Sequence, residues 1–113
     1  MGHGASQVSA ADPRRRVVAQ TETLRVVEWT LGPGERLPWH HHTRIDDTFY
    51  CLQGTLGVDT RAPERQVVLR PGEKYVVPAN VVHRPENLGE GNARFLLVQG
   101  LGTYDFIAAE QGG

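Results

Sequence analysis

The sequence predicts an all-β fold, either a sandwich or a closed barrel. Short runs rich in β-branched and aromatic residues alternate with Gly- and Pro-containing turn signals about every eight to twelve residues. No segment longer than a turn or two has the 3.6-residue period of an amphipathic helix. Thirteen glycines and seven prolines suit a chain that reverses direction often. At 113 residues, the chain is long enough for one domain with its own hydrophobic core.

Eight to ten short strands are expected from this pattern. In chain order they span residues 16–20, 23–31, 37–42, 48–52, 54–60, 67–69, 75–77, 81–84, 93–99 and 103–109. Pro38 falls near the start of its strand, where a missing backbone donor is tolerated. Gly- and Pro-rich turns separate the strands, at residues 32–34, 53–54 and 70–72. Residues 85–92 are expected to form a loop, and the last segment, residues 103–109, to pair at a sheet edge or form a short turn.

Residues 1–13 are rich in Gly, Ala and Ser, and we expect a flexible N-terminal segment there. The β domain is expected to span residues 14–110, without an internal linker or repeat. It begins at a short basic run, residues 14–16, which is typical of a solvated surface.

The composition excludes several classes of partner. The net charge is −1, from 12 basic and 13 acidic residues, so neither a nucleic acid nor a membrane surface is favoured. No apolar run approaches the ~20 residues of a membrane span, and the N-terminus lacks the apolar core of a secretory signal. The single cysteine, Cys51, excludes an intramolecular disulfide and suits a reducing compartment. We therefore expect a soluble, cytoplasmic protein.

A group of histidines and aspartates points to a metal site. His40 and His42 face the same side of a strand, while His41 faces away. Neutral imidazoles are the commonest metal ligands, and Asp47 adds an oxygen donor. His83 is the obvious candidate for a further imidazole. Odd spacing also puts Phe49 and Cys51 on the Asp47 face and Thr48 and Tyr50 on the other face.

These residues stand at the spacings of two motifs, and on that ground the chain resembles the cupin superfamily over about residues 24–99. The first motif, G-x5-H-x-H-x3,4-E-x6-G, matches Gly34, His40, His42, Asp47 and Gly54. The second motif, G-x5-P-x-G-x2-H-x3-N, matches Gly72, Pro78, Asn80, His83 and Asn87.

The chain departs from these motifs at two positions. Asp47 stands where the family usually has Glu, and Asn80 stands where it has Gly. Asn80 is a mild change, because Asn tolerates left-handed backbone conformations better than most residues. Asp46 satisfies the shorter x3 spacing, so either aspartate, or neither, could be the carboxylate ligand. Asp47 is preferred because it alone keeps six residues before Gly54.

The resemblance implies a single-domain jelly-roll β-barrel, also called a double-stranded β-helix. It also implies one divalent transition metal, Fe, Mn, Ni, Cu or Zn, bound by His40, His42, Asp47 and His83. The favoured function is a metalloenzyme, with oxygenase chemistry slightly ahead, that acts on a small oxygen-bearing substrate able to chelate the metal. The alternatives are a non-catalytic ligand-binding or sensor barrel, and a sugar-type isomerase or lyase. No catalytic acid or base is assigned, and the likeness to small cupins implies a homodimer.

Overall fold

The chain forms ten antiparallel β-strands in a computed structural model, which describes residues 11–100 and 106–109. No helix occurs among those residues. The strands are β1 (Arg15–Gln20), β2 (Leu24–Leu31), β3 (His40–His41), β4 (Asp46–Gln53), β5 (Leu56–Arg61), β6 (Glu64–Leu69), β7 (Lys74–Val77), β8 (His83–Asn87), β9 (Ala93–Gly100) and β10 (Ile107–Ala108). The expected all-β fold is confirmed, and ten strands agree with the eight to ten expected.

The strands form two five-stranded sheets. The first sheet has the order β1-β2-β9-β4-β7, and the second has the order β10-β3-β8-β5-β6. Most neighbours are distant in sequence: β9 lies between β2 and β4, and β8 lies between β3 and β5. Because the chain crosses repeatedly from one sheet to the other, residues far apart along the chain face one another across the interior.

The hydrophobic core lies between the two sheets and follows the two-residue alternation of the strands. In β9, every second residue from Ala93 is buried, and in β4 the alternation buries Asp47, Phe49 and Cys51 and leaves Tyr50 exposed. The expected faces of β4 are therefore confirmed. The buried core cluster comprises Val27, Trp29, Leu31, Leu37, Phe49, Cys51, Leu56, Val58, Leu69, Val77, Phe95 and Leu97.

Two turns explain residues of the motifs. Gly54 has φ +80°, and a Cβ at this position would collide with the carbonyl oxygen of Asn92, so only Gly fits. Asn80 has φ +71°, and its backbone N–H donates to the carbonyl of His42 at 2.7 Å. The expected tolerance of Asn at this Gly position is therefore borne out by a left-handed backbone.

Several predicted strand bounds differ from the structure by one or two residues, and three bounds among the strands before β10 differ by three residues. The expected strand over 37–42 is reduced to His40–His41, with an isolated bridge between Arg36 and Glu86 before it. The expected loop at 85–92 begins later, because β8 extends through Pro85 to Asn87. Proline is tolerated there because β3 pairs with β8 only at His83, so no continuous ladder on that side requires its N–H.

The third difference is in β6, which starts at Glu64 rather than Val67. The first residues of β6 are polar and exposed, since this edge strand pairs only with β5. Pairing, and not an apolar pattern, therefore defines its start.

The ends of the chain lie partly outside the described residues. The expected flexible segment at 1–13 falls mainly on residues 1–10, which the structure does not describe, so it stays a prediction. The expected edge pairing of 103–109 is confirmed for Ile107–Ala108, which pairs with β3, whereas 103–105 lie outside the described residues. In the described part of the chain, no helix is long and apolar enough to cross a membrane.

Candidate metal centre

Four buried side chains converge between the two sheets. His40 and His83 are direct register partners on β3 and β8, and His42 is the residue directly after β3. Asp47 comes from β4, in the opposite sheet. All four are at most 5 % exposed. The structure therefore brings together the four residues that the sequence proposed as metal ligands.

The Asp47 carboxylate lies at the centre of the group. Its Oδ2 atom is 2.7 Å from Nε2 of His83, 3.0 Å from Nε2 of His42 and 3.7 Å from Nε2 of His40. One ligand atom from each residue lies within 4.8 Å of the other three. Ligands at ~2.0–2.2 Å from one metal ion lie roughly 3 to 4.4 Å from one another, so the group is close to the required size.

Backbone carbonyls hold two of the imidazole rings. Nδ1–H of His40 donates to the carbonyl of Pro38 at 2.9 Å, and Nδ1–H of His83 donates to the carbonyl of Val81 at 2.8 Å. In both cases the carbonyl lies two residues earlier in the chain. A proton held on Nδ1 leaves the Nε2 lone pair directed at the centre, which is the tautomer that binds metal ions.

The electrostatics of the cluster suit a cation. Burial alone would raise the pKa of Asp47, but the contacts of its carboxylate with His40, His42 and His83 outweigh burial and hold that pKa well below its usual range. Burial also lowers the pKa of His40, against the opposing effect of Asp47. Asp47 is thus an anion, and His40 is held in the neutral form that binds metals.

Two residues adjacent in sequence to the ligand candidates, Asp46 and His41, lie outside the cluster. Asp46 is exposed, and its carboxylate accepts the backbone N–H of Ala79 at 3.0 Å. His41 is half-buried and pairs with Ile107 at the sheet edge. The structure thus groups Asp47, rather than Asp46, with the histidines, and it separates His41 from them.

Sequence reasoning missed Gln99, which also reaches the cluster. Gln99 is the register partner of Asp47 on β9, and it is 4 % exposed. Its amide Nε2 donates to Oδ1 of Asp47 at 3.0 Å and lies 3.3 Å from Nε2 of His42. Alternation along β9 places Gln99 on the same inward face as Phe95 and Leu97, and this signal could have identified it.

Two aromatic rings border the cluster. The Phe106 ring stacks on His40, with centroids 4.7 Å apart and planes 16° apart. The Phe49 ring meets His83 edge-on at 5.8 Å. Phe49 was expected on the Asp47 face and lies there, whereas Phe106 was not foreseen. Cys51 lies further along β4 in the core, where its thiol is directed at the carbonyls of Gln53 and Gly54.

Comparison with known proteins agrees with this arrangement. Residues 27–99 match the Cupin domain family. Since this match covers more than half of the chain, the protein belongs to the cupin family.

Two curated relatives are similar over part of their length. Quercetin 2,3-dioxygenase of Bacillus subtilis is 38% identical over 85 residues, which are 73% of this chain and 25% of that protein. Germin-like protein 1-2 of Oryza sativa subsp. japonica is 36% identical over 76 residues, 65% of this chain and 34% of that protein. The chain therefore spans only about a quarter to a third of these relatives.

Two solved structures share most of the fold. An uncharacterized double-stranded β-helix protein of Klebsiella pneumoniae has a TM-score of 0.78 and 27% identity, over 93% of this chain and 90% of that chain. KdgF from Halomonas sp. has a TM-score of 0.68 and 26% identity, over 81% and 83% of the two chains. Both similarities agree with the double-stranded β-helix fold implied by the sequence motifs.

Proposed function

We propose that the protein is a mononuclear metalloenzyme of the oxygenase type. It binds one divalent transition metal through His40, His42, Asp47 and His83, and it acts on a small oxygen-bearing substrate that chelates this metal. The observation that carries the proposal is the convergence of three imidazole Nε2 atoms and one carboxylate in a buried site between the sheets.

The residues present fit a transition metal. Imidazoles with a carboxylate form a donor set used by Fe, Mn, Ni, Cu and Zn, and this set does not choose among them. A bound metal of this kind supplies Lewis acidity to an oxygen-bearing substrate, and a redox-active one also supplies electron transfer. Four protein ligands leave room in a six-coordinate ion for a chelating substrate.

The chain's own residues then position the substrate and exclude water. Phe106 and Phe49 provide aromatic surface beside His40 and His83, respectively. A planar, oxygen-bearing substrate can stack on such surface while its oxygens point at the cluster. The similarity to a quercetin 2,3-dioxygenase supports this substrate class.

One observation favours a second candidate, a metal-dependent binding or sensor barrel without turnover. Among the described residues, the ionisable side chains that form the cluster are the four ligand candidates themselves. An isomerase would need an inward base beyond the metal ligands, and Tyr50 is a poor candidate because it is exposed on the outer face of β4. Oxygenase chemistry does not require a protein acid or base, so it remains the first candidate.

Metal analysis followed by oxygen uptake tests the proposal. Protein purified without added metal or chelator is expected to carry about one transition metal per chain. Catechols, diketones and flavonols then serve as substrates, in air and under nitrogen. Oxygen-dependent product supports the oxygenase. Saturable ligand binding without product in either gas would favour the sensor, and product under nitrogen would favour an isomerase or lyase. A chain that takes up no metal would overturn the proposed metal site.

We also propose a homodimer, formed through the outer face of the first sheet. This face exposes Tyr50, Leu52 and Val76 on neighbouring strands β4 and β7. Exposed apolar groups that lie together are typical of interaction surfaces. Light scattering is expected to give twice the chain mass of 12.5 kDa, and a monomer mass would reject the dimer.

The proposal includes a cytoplasmic location, because a reducing compartment suits the free, buried thiol of Cys51. Fractionation of producing cells tests it: recovery in an extracytoplasmic fraction would contradict this location.

A further inference from the structure

A neutral amide lies against the charged centre of the cluster. Gln99 is buried on the inward face of β9, where alternate positions otherwise carry Ala93, Phe95 and Leu97. A buried amide is unfavourable unless it is hydrogen-bonded, so an apolar residue would suit a simple core position better. The amide donates to Oδ1 of Asp47 at 3.0 Å, and this contact offsets the burial.

The two carboxylate oxygens of Asp47 have different partners. Oδ2 faces the three histidines, at 2.7 to 3.7 Å from their Nε2 atoms. Oδ1 accepts a hydrogen bond from the Gln99 amide. Asp47 and Gln99 are cross-strand partners on β4 and β9, so the backbone ladder of the sheet sets the distance between their side chains.

We propose that Gln99 is a positioning residue that restricts Asp47 to coordination through one oxygen. The amide engages Oδ1 in a hydrogen bond, and Oδ2, which faces the histidines, is the oxygen assigned to the metal. This inference rests on the metal site proposed above. Two-oxygen binding by the carboxylate would occupy a further coordination position, so the amide keeps that position open for a chelating substrate.

The amide also restricts a second candidate ligand. Nε2 of Gln99 lies 3.3 Å from Nε2 of His42, which is itself 3.0 Å from Oδ2 of Asp47. Gln99 therefore packs against both side chains at once and opposes rotation of the carboxylate toward a two-oxygen arrangement. Asp has one methylene fewer than the Glu of the family motif, and this lateral support holds the shorter side chain in one orientation.

Cobalt(II) binding to the full chain tests the proposal, because the visible spectrum of cobalt reports its coordination number. Gln99→Met keeps an unbranched side chain of similar size and removes the donor. We expect its dissociation constant for Co²⁺ to rise about 10- to 100-fold, because Asp47 is no longer held in one orientation. We also expect its visible absorption to change, as Oδ1 of Asp47 joins the metal.

A second substitution and a matched control accompany it. Gln99→Glu keeps the size of the side chain and replaces the donor by an acceptor, and it is expected to weaken Co²⁺ binding as well. Gln66→Met removes the same amide from another carboxylate, since Nε2 of Gln66 donates to Asp59 at 2.8 Å outside the cluster. The control is expected to leave affinity and spectrum unchanged.

The outcomes separate this inference from the proposed function. If the unsubstituted chain takes up no Co²⁺, the proposed metal site fails, and the inference fails with it. If the unsubstituted chain binds Co²⁺ and Gln99→Met keeps its affinity or its spectrum, only the role of Gln99 is overturned. Thermal unfolding of the metal-free proteins checks folding, and loss of the fold in both Gln99 variants would also overturn the positioning role.

Discussion

Two buried aspartates in this protein have contrasting surroundings. Asp47 lies between the sheets, where its partners are three imidazoles and the Gln99 amide. Asp59 lies on the outer face of the second sheet, where Nε of Arg84 donates to it at 3.1 Å and the Gln66 amide at 2.8 Å. Both are at most 6 % exposed.

The difference between them is the source of positive charge. The guanidinium of Arg84 balances the charge of Asp59 within the protein. Asp47 has imidazole neighbours and an amide donor instead, and burial favours the neutral form of His40. A buried anion without a charged protein partner is costly, and a bound cation removes that cost. Asp59 is therefore complete as a structural ion pair, whereas the Asp47 cluster is suited to receiving a metal.

The contacts around Asp59 and Arg84, here called the outer network, extend to neighbouring side chains. Gln66 also donates to Glu86 at 3.2 Å, and the guanidinium carbons of Arg61 and Arg84 each lie 4.4 Å from the Trp39 ring centroid. Cation–π contacts of this kind hold arginines in place. The same elements, a carboxylate and an amide on neighbouring strands, thus serve structure in one place and a candidate site in the other.

The largest expected effect is the loss of metal when an imidazole is removed. His42→Ala and His83→Ala should each lower the bound metal from about one per chain to nearly none, as determined by elemental analysis. The metal-free variants should keep the β-sheet circular dichroism of the parent, because the core between the sheets holds the fold. Full metal content in either variant would show that the ligand set is assigned wrongly.

The next effect compares the two aspartates directly. Asp47→Ala should weaken metal binding less than the histidine variants do, or change the metal preference, because three imidazoles remain. Asp59→Ala should leave metal affinity unchanged, although it leaves Arg84 without its carboxylate partner. Equilibrium dialysis against several divalent metals measures both. Equal losses of affinity in the two variants would remove the distinction drawn between the sites.

A smaller effect concerns the pH dependence of stability in the outer network. The hydrogen bond with Asp59, then burial, raises the pKa of Glu86 above 4.5. Burial opposes ionisation of Asp59, but hydrogen bonds with Glu86, Gln66 and Arg84 lower its pKa below 3.8. Glu86 thus holds its proton more tightly in the folded state than in the unfolded state. Its contribution to folding stability is present below pH 4.5 and is lost as the pH rises through its raised pKa.

The pKa of Asp59 is shifted in the opposite direction. The stability that Asp59 contributes is therefore lost as the pH falls through its lowered pKa. The parent protein should lose some stability as the pH rises through the raised pKa of Glu86. Glu86→Gln should abolish this loss, because Gln does not titrate. The measurement is the difference in melting temperature between parent and variant across pH 3 to 8, roughly the range in which carboxylates and histidines titrate. A difference that does not vary with pH would contradict the raised pKa of Glu86.

The smallest expected effect is at Trp39. Trp39→Leu removes both cation–π contacts between half-buried side chains and should lower the free energy of unfolding by about 1 kcal/mol, because a cation–π contact near the surface contributes about 0.5–1 kcal/mol and part is recovered by solvation. Urea unfolding measures it. Metal content should not change, and a loss of metal would mean that the outer network supports the cluster across the sheet.

Much of the candidate site could be predicted from the sequence because its clues are local. Alternation placed His40 and His42 on one face and His41 on the other, and the spacing to Gly54 selected Asp47 over Asp46. The tolerance of Asn80 for a left-handed backbone was also predictable from its residue type. Gln99 and Phe106 were missed because they have no local motif: Gln99 meets Asp47 across 52 residues of sequence.

Local pattern therefore determined the all-β class, most turns, the inward faces of the strands and the four candidate ligands. Only the tertiary structure decided which inward faces meet. Alternation with a period of two assigns a residue to a face but not to a partner strand. The order of strands in the two sheets brings β9 beside β4 and β10 beside β3. That order buries the apolar core cluster between the sheets, and it places the Gln99 amide on Asp47 and the Phe106 ring on His40.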